Sequence, residues 1–324
     1  MKILVTGGAG YIGSFMVKRL LDDGYEVVVL DSMERGYVEA LDPRATFVKG
    51  TTLDKVFLQL VFAEHSFDAV FHFAAYISVA ESVDRPGLYF ANNVFGTLNL
   101  LEQMVKHKVS RIIFSSTAAV YGNPQQIPIP EDHPKVPENP YGESKLMVEH
   151  ILSWFQRSHN IRYVAFRYFN ASGAALDGSM GERHEPETHI IPNAIKALLN
   201  KKTFTLYGND YDTPDHTCVR DYIHVLDLVE AHIVGLNKIL QVEGGHTYNV
   251  GTGKGFSNKE IIDMIEEVAG EQLVIEQAPR RPGDADELTA DPTRIKNDLG
   301  FVPSYSDLKT IISSAWKWHS QRHP

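Results

Sequence analysis

The chain has 324 residues, 43% of them hydrophobic and 22% charged, with a formal net charge of −10. That is enough for one large or two modest domains, and so acidic a chain has no global attraction for phosphate backbones, which argues against nucleic acid. One cysteine, Cys218, leaves no disulfide framework or cysteine-based zinc spacing, no apolar run is long enough to span a membrane, and "MKILVTGG" carries no leader pattern, so the expectation is a cytoplasmic protein.

The predicted elements alternate through the first half. "KILVTG" is a short apolar strand, and Ile12, Phe15, Met16, Arg19 and Leu20 set a helical spacing over 11–23. "EVVVLD" is a second strand. "TFVKG", "DAVFHFA" and "RIIFSS" are further runs rich in Val, Ile and Phe, with helical stretches near 53–64 and 88–107. A helix from Tyr141 to about Phe155 leads to "IRYVAFRYF". Short apolar strands separated by helices predict an α/β chain with a parallel, doubly wound sheet and right-handed crossovers.

Past residue 170 the alternation weakens. Residues 171–190, rich in Gly, Glu and His, read as a loop. A helix near 188–200, "TFTLYG", a helix at 225–240, "HTYNVG", a helix at 258–268, "QLVIEQ" and an amphipathic helix near 307–319 complete the chain. The expected division is residues 1–170, with returning segments near 222–255, and a smaller C-terminal α/β domain of residues 171–221 and 256–324, the two packed around a cleft.

"VTGGAGYIG" links the first strand to the first helix. Gly8, Gly10 and Gly13 fit one dinucleotide spacing, and Gly7, Gly10 and Gly13 another. Such glycines permit a tight turn and close approach of backbone to pyrophosphate, and the helix N-terminus offers N–H groups and a positive dipole end. Asp31 ends the second strand, where a carboxylate accepts from ribose hydroxyls and repels a 2′-phosphate, favouring NAD over NADP. Arg35 would argue the other way, but Glu34 stands beside it.

In "NPYGESK", Pro140 suits a first helical turn, and Tyr141 and Lys145 at i and i+4 share a face. A free tyrosine is ionised only to about one part in a thousand at pH 7, and lowering its pKa by about three units takes roughly 4 kcal/mol. A nearby ammonium and a cationic nicotinamide ring could supply that. Ser115, Ser116 and Thr117 close the "RIIFSS" strand at its C-terminal end, the edge where open α/β sheets bind ligands. A hydroxyl there can hold a substrate hydroxyl and relay its proton, although Ser115 could equally satisfy only backbone groups.

"TGGAGYIG", "SSTAAVYG" and "YGESK" resemble the extended short-chain dehydrogenase/reductase superfamily, and "RYFNASGA", "YGNDYDTPDHTCVRDYIHV" and "APRRPGDA" are similar to the UDP-galactose 4-epimerases within it. The resemblance covers nearly the whole chain. It implies a Rossmann-type NAD-binding domain, a smaller UDP-sugar-binding domain, and a 4-epimerase acting through a transient 4-keto sugar. It assigns Tyr141, Lys145 and Thr117 to catalysis. Gly7, Gly10, Tyr11, Ile12, Gly13, Asp31, Ser32, Phe73, Ala74, Ala75, Asn92, Ser115, Tyr141, Lys145 and Tyr168 are assigned to NAD. Thr117, Asn170, His189, Ile190, Tyr207, Arg220, Arg281 and Asp284 are assigned to a UDP-hexose. Dehydratases and decarboxylases on this fold carry an acid directly after the catalytic hydroxyl; Ala118 and Ala119 stand here, which favours epimerisation. A uronate epimerase, a decarboxylase and a non-catalytic NAD(H) sensor are the alternatives.

Two departures from the family pattern predict weaker NAD retention: Thr51 replaces an Asp that bonds the adenine amino group, and Ile77 stands where some relatives have Lys. Leu288 is intermediate in bulk where the family tunes acceptance of N-acetylated sugars. A homodimer is implied, through helices near 88–107 and 141–157. His184, Glu185, Glu187 and His189 read as a loop and helix start with no metal. The 14 histidines read as mostly surface, and Tyr76, Phe90 and Phe95 as core or wall.

Overall fold

Lys2–Thr6 (β1) is a strand because its β-branched and apolar residues bury almost completely once flanked on both sides. It begins a computed structural model that describes residues 1–281 and 284–323. In chain order there follow α1 (Tyr11–Asp22), β2 (Glu26–Asp31), β3 (Thr46–Lys49), α2 (Lys55–Glu64), β4 (Ala69–His72), α3 (Val79–Asp84), α4 (Pro86–Tyr89), a π-helical stretch (Phe90–Phe95), α5 (Gly96–Lys106), β5 (Arg111–Thr117) and α6 (Pro140–His159). Then come β6 (Arg162–Tyr168), β7 (Asn170–Ser172), α7 (Ile190–Leu199), β8 (Phe204–Tyr207), β9 (Val219–His224), α8 (Val225–Gln241) and β10 (Gly245–Val250). The chain ends with β11 (Gly255–Ser257), α9 (Asn258–Ala269), β12 (Ile275–Ala278), β13 (Glu287–Leu288), α10 (Thr293–Leu299) and α11 (Leu308–Ser320).

Two compact units result: Met1–Gly122, Lys135–Arg167 and Ala231–Tyr248 form one, and Asn123–Pro134, Tyr168–Glu230 and Asn249–Pro324 the other. The first is built on the expected doubly wound sheet, seven strands in the order β10-β6-β5-β4-β1-β2-β3. β1 pairs in parallel with β2 and β4, β2 with β3, and β4 with β5. Strand order reverses direction between β1 and β4, the switch point where open α/β sheets bind ligands. The registers Thr6–His72 and His72–Phe114 bring Gly7 and Phe73, each just past its strand, to the same edge as the last residues of β5, Ser115 to Thr117. Leu4, Val70, Ile112, Leu100, Val148 and Leu152 pack one core, fed by α2, α5 and α6.

The second unit has its own core, in which Ile191, Ile195, Ile261, Ile265, Ile311 and Ile312 bring α7, α9 and α11 together. α9 starts on a capping box, Ser257 with Glu260, and stops at Gly270 in the left-handed region (φ 72). β9 pairs antiparallel with β11 and in parallel with β7 and β13.

Several local readings need correction. α6 runs four residues beyond Phe155, until Asn160 takes a left-handed C-cap (φ 57). "VRDYIH" is a strand, β9, not only a ligand motif. His72, His133, His224 and His232 are buried, and in the first three both ring nitrogens are hydrogen bonded within the fold. Phe95 is 53% exposed instead of core. No helix among the described residues is long and apolar enough to cross a membrane.

Candidate active site

The glycine turn closes on itself. Gly7 has φ +73, and a Cβ there would lie 2.6 Å from the Ala74 nitrogen; a Cβ on Gly13 would lie 2.1 Å from the Gly7 carbonyl oxygen. The turn, the first turn of α1 and the segment after β4 (Phe73, Ala74, Ala75) are therefore in backbone contact. Gly10 is the N-cap of α1 with no side-chain cap, and the space its Cβ would fill holds only the Gly7 carbonyl oxygen, at 3.3 Å. Tyr11 and Ile12 start the helix, and Tyr11 packs edge-on to Phe15 at 5.8 Å. An uncapped helix start under an open glycine is a fit for a pyrophosphate.

Asp31 is not a solvated loop carboxylate. It is buried, with one oxygen accepting from the Ala9 N–H at 3.0 Å and the other from the Met33 N–H at 2.9 Å. Its charge is thus fixed beside the turn. Ser32 accepts from the Glu34 N–H at 3.3 Å. Arg35 pairs with Glu81 at 2.9 Å, so it is committed to a carboxylate. These residues fit an unphosphorylated adenosine ribose. Thr51 uses its hydroxyl locally, accepting from the Leu53 N–H at 3.2 Å, and Ile77 is exposed.

The reactive cluster forms where α6 meets the end of β5. Asn139 caps α6 through the Gly142 N–H at 2.9 Å, and Pro140 takes the first turn. Tyr141, Lys145 and Glu149 then recur every four residues on one face. Tyr141 shares a hydrogen bond with Thr117. Thr117 Oγ1 accepts from the Ala119 N–H at 3.2 Å, which leaves its own proton available to a phenolate at Tyr141. Lys145 Nζ donates to the Ser115 carbonyl at 2.6 Å and lies 5.0 Å from the centre of the Phe114 ring. Ser115 thus contributes its carbonyl.

The electrostatics correct the sequence argument. Desolvation pushes Tyr141 up, and only the Thr117 hydrogen bond pulls it back. Lys145 does not rescue it, since burial brings that ammonium down to about 7. Among the chain's own groups, then, burial outweighs the Thr117 hydrogen bond at Tyr141, and the nicotinamide ring is the other source of positive charge expected from the sequence.

Two buried polar networks hold this cluster, and neither was read from the sequence. Arg167 donates from Nε to Glu149 Oε1 at 3.0 Å and from a terminal nitrogen to Oε2 at 2.7 Å, while Ser116 donates to Oε1 at 2.6 Å. Arg167 also donates to the Tyr121 hydroxyl at 2.7 Å. The i+8 acid on the Tyr141 face was the available signal. In the second network the His72 ring bridges Thr6 at 2.6 Å and Thr97 at 2.8 Å. Thr97 donates to the Asn93 carbonyl at 2.5 Å, Asn93 donates to Ser144 at 3.0 Å, and Ser144 donates to the Tyr141 carbonyl at 2.7 Å. Burial, with Lys145 nearby, pushes His72 down to about 3, so it bridges as a neutral ring. Asn92 donates to Asn93 at 3.0 Å.

The expected substrate residues other than Thr117 lie in the second unit. Arg220 on β9 donates to Asp284 at 2.9 Å, and Tyr211 donates to the other oxygen of Asp284 at 3.1 Å. Arg281 lies 4.4 Å over the Tyr207 ring. A cavity of about 590 Å³ is lined by Asn123, Pro124, Ile127, Arg280, Arg281 and Asp284. The Pro282–Gly283 part of the arginine motif lies outside the described residues. Tyr168 ends β6, Asn170 begins β7 opposite Tyr222, and Leu288 pairs with Arg220 in register. His189 caps α7 just before Ile190 and turns to Glu182 and Glu187 instead of joining the arginine group.

Comparison with known proteins places this geometry. The sequence profile of the GDP-mannose 4,6 dehydratase family matches residues 4–313. A UDP-glucose 4-epimerase of Lactobacillus helveticus is 46% identical over all of this chain and 98% of its own, and one of Streptococcus mutans is 48% identical over 99% and 97%. A crystal structure of UDP-glucose 4-epimerase from Bifidobacterium longum, in complex with NAD+ and UDP, superposes with a TM-score of 0.94 at 38% identity, covering 99% of this chain and 98% of that one. The residue directly after Thr117 is buried Ala118.

Proposed function

The chain belongs to the UDP-glucose 4-epimerases of the extended short-chain dehydrogenase/reductase superfamily, and on that premise we propose how its own side chains run the reaction. It is an NAD-dependent 4-epimerase interconverting UDP-glucose and UDP-galactose. Bound NAD supplies a reversible hydride acceptor and a positive charge on the nicotinamide ring. Tyr141 takes the proton of the sugar 4-hydroxyl, and the Thr117 hydroxyl stabilises the phenolate by donating to it. Lys145, anchored on the Ser115 carbonyl, holds the nicotinamide ribose. Tyr141 returns the proton when the 4-keto sugar presents its other face. Asp31 and the uncapped start of α1 hold the adenosine ribose and the pyrophosphate of NAD. Arg220 and Arg281 hold the diphosphate of UDP, and Asp284 its ribose.

The observation that carries this reading is the single helix face on which Tyr141, bonded to Thr117, is followed one turn later by Lys145, bonded to the end of β5. No acid stands at Ala118 to drive elimination. The test is incubation of the pure protein with NAD and a panel of UDP-hexoses, including the N-acetylated pair and a uronic acid, with products read by NMR. Inversion at C4 of UDP-glucose is expected, and Leu288 makes the N-acetylated pair the next substrate to examine. No C4 inversion of any member would overturn the proposal.

The enzyme is a cytoplasmic homodimer in this reading. Phe95 and Trp154, 53% and 64% exposed on the π-helical stretch and α6, supply the apolar surface for a second copy.

A further inference from the structure

Four side chains of the second unit converge just before α7. Glu182 Oε1 lies 3.0 Å from His184 Nδ1 and 2.7 Å from His189 Nδ1. Glu187 Oε1 lies 3.1 Å from His189 Nδ1 and 3.9 Å from His184 Nδ1. One donor atom from each residue falls within 4.8 Å of all the others. Donors about 2.0–2.2 Å from a tetrahedral divalent cation are themselves about 3.3–3.6 Å apart. The four observed nitrogen–oxygen distances straddle that value, so a cation at their centre needs only small outward shifts. The fourth ligand is buried Glu182 and not Glu185, which is exposed.

Hydrogen bonding within the cluster leaves it incompletely satisfied. His189 Nδ1 has carboxylate oxygens of both Glu182 and Glu187 within 3.1 Å, and one N–H can align well with only one. The Glu182 and Glu187 side chains are 7% and 5% exposed. Glu187 Oε1 also accepts from the Thr188 and His189 N–H groups, at 2.9 and 3.1 Å, but its buried Oε2 accepts no hydrogen bond, and Lys196 stands 3.7 Å from it. Around the four, Trp318 Nε1 donates to the Glu182 carbonyl at 3.0 Å, Asn193 donates to the Glu187 carbonyl at 3.3 Å, and His319 of α11 is close enough to feel both carboxylates. The ligand-bearing backbone is thus pinned from α7 and α11, as outer partners pin a metal site.

We propose that Glu182, His184, Glu187 and His189 form a binding site for one Zn²⁺. Two imidazoles and two carboxylates are a borderline-soft donor set that suits zinc. Four protein ligands close the shell, so the ion is structural: it fastens the loop at 182–189 to the start of α7. This does not depend on the epimerase reading. The competing account is a protonated histidine shared between two carboxylates.

The test uses the full chain, dialysed against a chelator and then titrated with Zn²⁺ by calorimetry and with Co²⁺ by visible absorption. Expected are one zinc per chain, a Tm several degrees higher with zinc than with chelator, and the intense d–d bands of four-coordinate cobalt. His184→Ala and Glu187→Gln should each weaken zinc binding by more than about tenfold, while Glu185→Gln leaves it unchanged. The cobalt spectrum of the unaltered protein decides the matter even if a variant fails to fold. The proposal is overturned by a pale six-coordinate cobalt spectrum, or by zinc binding to the unaltered protein no tighter than to His184→Ala.

Discussion

Arg220 and Asp284 are hydrogen bonded to each other at 2.9 Å, although one is proposed to hold the diphosphate of UDP and the other its ribose. Arg220 also donates to its neighbour's carbonyl, Val219, at 2.7 Å. The acid therefore orients the guanidinium, and substrate binding trades one anionic partner for another. Charge-assisted hydrogen bonds are each worth about 1.5–3 kcal/mol. Arg220→Ala should raise Kd for UDP by roughly 10- to 100-fold, measured by calorimetry, with NAD affinity unchanged. An unchanged Kd for UDP would remove Arg220 from the substrate site.

Tyr141 and Thr117 separate a base from its helper. Tyr141→Phe removes the proton acceptor and should lower kcat by about 10²–10⁴-fold, the usual contribution of general base catalysis. Thr117→Val leaves the base in place and removes the hydrogen bond that opposes the upward push of burial on Tyr141, along with the acceptor for the Ala119 N–H, so its kcat should fall less and its pH–rate profile should shift to higher pH. Equal losses and unshifted profiles would show that Thr117 acts by some other route. Both variants should bind NAD.

The parts of this site that were legible in the sequence are those whose geometry is local. The glycine turn is specified within nine residues, and the Tyr141–Lys145 pair comes from Pro140 and helical periodicity. Glu149 with Arg167 was not legible, because their meeting depends on how α6 lies across the sheet and on which face of β6 each residue takes. Phe95 was misread for a different reason. The π-helical stretch Phe90–Phe95 inserts extra residues per turn, which rotates the start of α5 off a 3.6-residue pattern. At 182–189 there is no regular period at all, so nothing in the sequence favoured Glu182 over Glu185 as the acid that faces the two histidines.

The Glu149–Arg167 pair is 8% and 4% exposed, and Ser116 and Tyr121 complete its hydrogen bonds. Glu149→Gln keeps the shape but strands a buried guanidinium. It should destabilise the protein by about 3–5 kcal/mol in urea unfolding, whereas the double change Glu149→Leu with Arg167→Met should lie much closer to the parent. Equal stability of the single variant and the parent would mean the pair is not essential to the packing of α6 on β6.

Thr51 stands where the family resemblance expects an acid for the adenine amino group, and its hydroxyl is spent on the Leu53 N–H. Thr51→Asp keeps that local acceptor and adds a second, charged oxygen. NAD should then bind up to about tenfold tighter, and the protein should retain more of it through dialysis, read by chromatography of released nucleotide. Unchanged affinity would mean that Thr51 does not face the adenine.

Lys145 makes folding depend on pH in a calculable direction. Burial lowers it to about 7 in the folded protein, against about 10.4 unfolded. Below pH 7 both states hold the proton, and the full desolvation penalty applies. Between about 7 and 10 the unfolded chain binds more protons than the folded one, so stability rises with pH by up to about 1.4 kcal/mol per unit. Tyr141, raised by burial, acts oppositely, but only above about pH 10, and His72, down at about 3, stays neutral throughout. Protein stripped of nucleotide should therefore gain about 2 kcal/mol relative to Lys145→Met between pH 7 and 9, from urea midpoints. Parallel pH profiles for the two proteins would show that the ammonium keeps its charge inside the fold, and that the Ser115 carbonyl compensates its burial more fully than one 2.6 Å hydrogen bond should.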